Sequence, residues 1–147
     1  MLHQEMCGRL WQLAGHERRM TMRYNAEHGP NRASWFSLDQ EERIALVLAH
    51  HRQLRASHPP VPDPHMHAVL HMVVENQVAL GAQTPVEKTL MRLMDEGLSR
   101  HDAVHAIGSV FVEHLVNTVG SWGHRDADAK YFSQFEELTA EHWRQRV

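Results

Sequence analysis

Apolar residues recur along this chain at helical steps. Leu2, Met6, Leu10, Trp11 and Leu13 follow at three- and four-residue intervals, which predicts a helix from residue 2 to about 24. His28-Gly29-Pro30-Asn31 breaks it. Ser37, with Gln40 completing a capping box, opens a second helix whose stripe of Ile44, Val47, Leu48 and His51 runs to about Ala56. Asp63 as N-cap and Pro64 at the first helical position open a third, and Gly81 closes it. Thr84-Pro85-Val86-Glu87 repeats the cap for a short helix that stops near Gly97. Ser99 and Asp102 cap a fifth, which runs to about Val119. A last helix is expected over about 128–145, with Phe132, Phe135, Leu138 and Trp143 facing inward. Short β-branched runs such as Val73-Val74 lie inside these capped patterns, so strands are not expected. The predicted fold is all-α: one domain over residues 1–147, a bundle of five to six helices, with terminal helices flanking a centre at about 35–119.

Two helices read as central. The third carries Val69, Leu70, Val73, Val74 and Val78, and the fifth Val104, Ile107, Val110, Phe111, Val112 and Leu115, apolar on nearly every side. Gly108, in mid-helix, costs about 1 kcal/mol relative to Ala, which fits a close approach by another helix. Met66, Met72, Met91 and Met94 are expected to fill the core.

Composition narrows the function classes. With 147 residues, 42% hydrophobic and 22% charged, the chain suits one globular domain. It has no apolar run of about 18 residues, so no transmembrane helix is expected. Met1-Leu2-His3-Gln4-Glu5 lacks the features of a signal peptide, and the cytoplasm is the expected location. Cys7 stands alone, which excludes an intrachain disulfide framework and a Cys-based zinc site, and it has no defined partner as a nucleophile. A net charge of −3 and no basic stripe argue against nucleic acid as a partner. The chain has no Gly-rich phosphate loop, no Gly-x-Ser-x-Gly elbow and no His-Glu-x-x-His string.

The abnormal number is 14 histidines, spread from His3 to His142, which points to metal or pH chemistry. His67, His71 and Glu75 follow at four-residue steps in the third helix, and His101 and His105 do so in the fifth. Residues four apart share a helix face, so each helix offers a two-imidazole chelate and one adds a carboxylate. These five are the predicted metal ligands, with Glu75 as a fifth or bridging one. Glu113, two turns beyond His105, could reach the same region. Zinc suits nitrogen-rich ligation best; iron, nickel and manganese also fit. Five ligands on one ion would make a closed, structural site, whereas a position left to water would suit hydrolysis or oxygen handling. His50 and His51 read first as partners of the second helix's C-terminal dipole, with His51 as a further ligand the open alternative. Asn76 and Gln77 either orient ligands or pair with backbone. His114, His124 and His142 read as surface, and His124-x-x-x-Asp128 falls where a turn is expected. The competing reading is a non-metal oligomeric or regulatory protein, with structural core histidines and Trp11, Trp35 and Trp143 on faces that pair with another chain. A homodimer is compatible with both readings.

At these residues a resemblance emerges. The stretch from Trp35 to His114 resembles an uncharacterised family of small helical bacterial proteins. Its recurring strings are His-x-x-x-His-x-x-x-Glu-(Asn/Gln) and Arg-His-x-x-x-His, here His67, His71, Glu75, Asn76, Arg100, His101 and His105. The resemblance implies no activity. A weaker likeness is to hemerythrin-like di-iron bundles, through His71-x-x-x-Glu75 and His101-x-x-x-His105. The short intervening helix and the missing later His-x-x-x-x-Asp string make that an analogy of site construction.

Overall fold

A computed structural model describes residues 22–54, 57–119 and 127–147. Its helices are α1 (Arg32–Phe36), α2 (Gln40–Gln53), α3 (Pro64–Ala79), α4 (Val86–Asp95), α5 (Arg100–Thr118), α6 (Ala127–Glu137) and α7 (Ala140–Arg144), with a single 3-10 turn at Gly81–Gln83. The fold is all-α, with no strand among the described residues. No helix among them is long and apolar enough to cross a membrane.

Several boundaries follow the predicted caps. The Asp63 side chain accepts from the Met66 N–H with Pro64 in the first turn, and Ser99 accepts from Asp102. Gly81, at φ +59°, ends α3 in the left-handed region. Others differ. The first predicted helix lies outside the described residues up to residue 21, and Met22–Asn25 are not helical. Asp39, not Ser37, caps α2: its carboxylate takes the Glu42 N–H while Glu42 takes the Asp39 N–H. Ser37 instead closes α1. The Thr84 box does not form; its hydroxyl donates to the Gln77 carbonyl and meets only the Val86 N–H, at 3.4 Å. The last helix is two helices, because Thr139 is extended and caps α7 through the His142 N–H.

α3 is the pivot and packs on α2, α4 and α5. Ala68, Met72 and Ala79 bury one side against Tyr24, Trp35, Ile44 and Val47. Val74 buries the other with Leu90, Leu93, Val104, Ile107 and Phe135. Trp35 is fully buried, its indole N–H donating to Asn76 at 2.8 Å, and Trp143 is half-buried. Neither is the free surface expected of it, and Trp11 lies outside the described residues. Met72 is core as predicted, but Met66, Met91 and Met94 are exposed. The central character of α5 holds for its first half only. Val112, Leu115, Val116 and Val119 are exposed.

The segment before α1 is strapped to the bundle. Arg100 donates to the Ala26 carbonyl at 2.8 Å, and the Ala26 N–H donates to His50 Nε2 at 3.2 Å. Gly29, at φ +69°, lets this turn close over the Arg100 guanidinium, with which any Cβ there would collide.

Candidate metal centre

Four elements deliver imidazoles to one place. α2 brings His51 from its last turn, and the loop leading to α3 brings His58. α3 brings His67 and His71, and α5 brings His101 and His105. Helical spacing puts each pair on one face: the ring centroids of His67 and His71 are 4.8 Å apart, those of His101 and His105 4.4 Å. Across helices, His71 and His105 stand at 4.9 Å and His67 and His105 at 5.0 Å. The ligand atoms of His51, His58, His67, His101 and His105 all lie within 4.8 Å of one another, close enough to hold one metal ion.

Three of the four predicted histidines, His67, His101 and His105, belong to that group with His51 and His58; His71 falls outside it, its ring packed against those of the other three at 4.8–5.1 Å between centroids. His51, in the last turn of α2, also takes the open alternative: it sits amid the cluster, its Nε2 3.2 Å from His101 Nε2. His58 was not anticipated. Its signal in the sequence was its place beside Pro59-Pro60, a stiff connector between two histidine-bearing helices.

Hydrogen bonds fix the tautomers of three rings. A carbonyl only accepts, so His51 Nδ1–H donates to Val47 O (2.9 Å) and His58 Nδ1–H to Pro59 O (2.7 Å). The Tyr24 hydroxyl has one proton, which goes to Glu75 Oε1 at 2.7 Å. His71 Nδ1, 3.2 Å from that hydroxyl, must then be the donor. In all three rings Nε2 is then the unprotonated nitrogen; in His51 it faces His101 Nε2. Nε2 of His58, His67, His71 and His105 is buried and meets no hydrogen-bond partner. Buried polar nitrogens without partners are costly, and here they converge on one another.

The surroundings favour the neutral ring at His51, His67, His71, His101 and His105. Burial, then repulsion from neighbouring imidazoles, lowers His67 to about 4; the same two causes lower His101 to about 3 and His105 to about 2. His71, 1% exposed, is pushed well below its ordinary value chiefly by burial, and His51 is lowered for the same reason. Burial, then the Glu75 charge, raises Tyr24 well above 10, so the phenol stays a donor.

Glu75 stands behind the cluster. It is fully buried, and its two oxygens are held by Arg100 Nη1 and Nη2, each at 2.7 Å, and by Tyr24. Tyr24 thus lies between Glu75 and His71 and is hydrogen-bonded to both. Glu113 pairs with Arg146 at 2.7 Å on the surface, away from the cluster. Asn76 accepts from Trp35 and Arg43, and Gln77 from Tyr131, so both tie helices together and neither orients a ring of the cluster. His114 is half-buried against Tyr131, with ring centroids 4.9 Å apart. His142 is exposed as expected; His124 and Cys7 lie outside the described residues.

Three clefts reach the cluster from outside, the largest, of about 720 Å³, opening on His58, His101 and His105. Another, of about 420 Å³, runs along the proline loop beside His51, His58 and His67. The third, of about 270 Å³, is walled by Leu70, Val104, Val112 and Trp143 and ends on His67, His71 and His105. Comparison of the chain with protein-family models, curated proteins and solved structures finds no match to any of them.

Proposed function

We propose that the chain is a metal-binding protein whose imidazole cluster holds a divalent first-row transition ion. The observation that carries this reading is the convergence of Nε2 atoms. Those of His58, His67, His71 and His105 are buried and lack protein partners, those of His51 and His101 meet only each other, and in His51, His58 and His71 the opposite nitrogen is spent on an outward hydrogen bond. Metal ligation turns that unmet hydrogen-bonding potential into bonds. The depressed proton affinities support it, since an imidazole must be neutral to ligate. Glu75 and Tyr24 act behind His71, steadying the ring. Zinc, iron, nickel and manganese share this ligand preference in differing degree.

The experiment is equilibrium dialysis of untagged protein against zinc, nickel, iron(II) and manganese(II), with the double variant His67→Ala, His105→Ala as the control. The expected result is saturable uptake near one ion per chain for at least one of these metals, abolished in the variant. Equal uptake by both proteins would contradict the reading. An interaction role finds support in a different observation, the exposed Val112, Leu115 and Val116 of α5 and Val119 just after it. It is compatible with metal binding, and light scattering of the purified protein measures it.

A further inference from the structure

Every close ring pairing among the six histidines falls between 4.4 and 5.3 Å. None of these pairings joins His51 to His105, His58 to His71, or His67 to His101. Each ring therefore lies against all the others but one, and the three excluded pairs use every histidine once. That is the neighbour pattern of an octahedron, in which each vertex touches every other except its opposite.

The distances agree with it. With metal–nitrogen bonds of about 2.0–2.1 Å, an imidazole bound through Nε2 holds its centroid roughly 3.2 Å from the ion. Two such rings at right angles have centroids roughly 4.5 Å apart, and two opposite rings roughly 6.4 Å apart. The observed pairings begin at the right-angle value and stop well short of the opposite one. The ligand atoms of His51 and His105, and of His67 and His101, lie within 4.8 Å of each other, while His71 stands outside that group and would have to draw in toward the ion. Opposite nitrogens of a filled octahedron stand roughly 4.2 Å apart.

We infer that the site is a six-imidazole octahedral centre, with His71 as the sixth ligand opposite His58. This rests on the metal-binding reading and goes beyond it. His71 qualifies independently: its ring is 1% exposed, its Nε2 meets no partner, and Tyr24 pins its Nδ1. The inference has two chemical consequences. Six protein ligands leave no coordination position for water or substrate, so the centre holds an ion instead of activating a bound water. Six nitrogens also favour nickel(II) or iron(II), which imidazole suits, over zinc, whose structural sites are four-coordinate.

Cobalt(II) is the probe, because its visible spectrum is weak in six-coordinate sites and intense in tetrahedral ones. Metal-free, untagged protein titrated with cobalt(II) is expected to give the weak spectrum. His71→Ala is expected to weaken cobalt affinity about tenfold or more and to change the spectrum as one nitrogen is lost. His58→Ala, on the half-exposed loop, makes the same test without disturbing the core, and circular dichroism verifies both folds. An intense tetrahedral spectrum from the unaltered protein overturns the octahedral centre while leaving metal binding intact. So does a His58→Ala variant indistinguishable from the parent in affinity and spectrum. Failure to take up cobalt, nickel, iron or zinc overturns both the geometry and the metal-binding reading.

Discussion

Burial disfavours a protonated imidazole in the cluster, and repulsion between rings close enough to share one ion adds to the effect. For the metal-free protein this fixes the sign of the acid response. His67, His101 and His105 hold protons in the fold only at about 4, about 3 and about 2, against roughly 6.5 in the unfolded chain. Above that value neither state is protonated and these groups contribute no pH dependence. Below it the unfolded chain takes up protons first, so stability falls. The slope is about 1.4 kcal/mol per pH unit for each ring that stays neutral, less for the half-exposed His67 and His101, where solvent screens the repulsion. Urea midpoints of the EDTA-treated protein are expected to drop between pH 7.5 and pH 5.5; equal midpoints would refute the buried-neutral description. Glu75 shows what spacing leaves out. The four-residue step put it correctly on the histidine face, but spacing is blind to Arg100, 25 residues later, which takes both its oxygens. Glu75→Gln leaves that guanidinium uncompensated and is expected to cost about 3–5 kcal/mol in urea unfolding. The variant that remains folded should still take up metal. Loss of uptake from a folded variant would return Glu75 to the ligand set.

At the scale of elements, two glycines make opposite predictions. Gly29→Ala forces a Cβ into the Arg100 guanidinium at a φ of +69° and is expected to lower the melting temperature. Gly108 was expected to permit close helix packing, yet a Cβ there meets only Val74 Cγ2, at 3.9 Å, an ordinary contact. Gly108→Ala is therefore expected to stabilise by up to about 1 kcal/mol, by removing the glycine penalty in mid-helix. Destabilisation at that site would show that the glycine serves packing after all. The helices were legible where one residue could act alone: Asp63 and Ser99 cap as their sequence context implies. They were illegible where neighbours compete. Ser37 and Asp39 lie two residues apart, and the carboxylate captured the cap because Glu42 reciprocates. Thr84 lost its box because its hydroxyl turns back to the Gln77 carbonyl. The pairs on α3 and α5 were readable because chelate spacing is local. His51 was legible only as an alternative and His58 not at all, because only the packing of α2 and the proline loop against those helices brings them in.

For the molecule as a whole, the centre ties α2, the loop after it, α3 and α5 into one unit. An ion that binds the folded state alone stabilises it by mass action, so prolonged EDTA treatment at pH 8 is expected to lower the melting temperature. His67→Ala, His105→Ala should abolish that difference. The strap from Tyr24 to Gly29 belongs to the same unit, since Tyr24 holds His71 and Arg100 holds both Glu75 and the strap backbone. The central claim is that this cluster exists to hold a metal. Elemental analysis of protein purified without a histidine tag or a nickel column tests it most directly. About one transition-metal ion per chain is expected, or uptake to that level after metal is supplied. Less than about 0.2 ion per chain, with no uptake of zinc, nickel, iron or manganese by the folded protein, would contradict it.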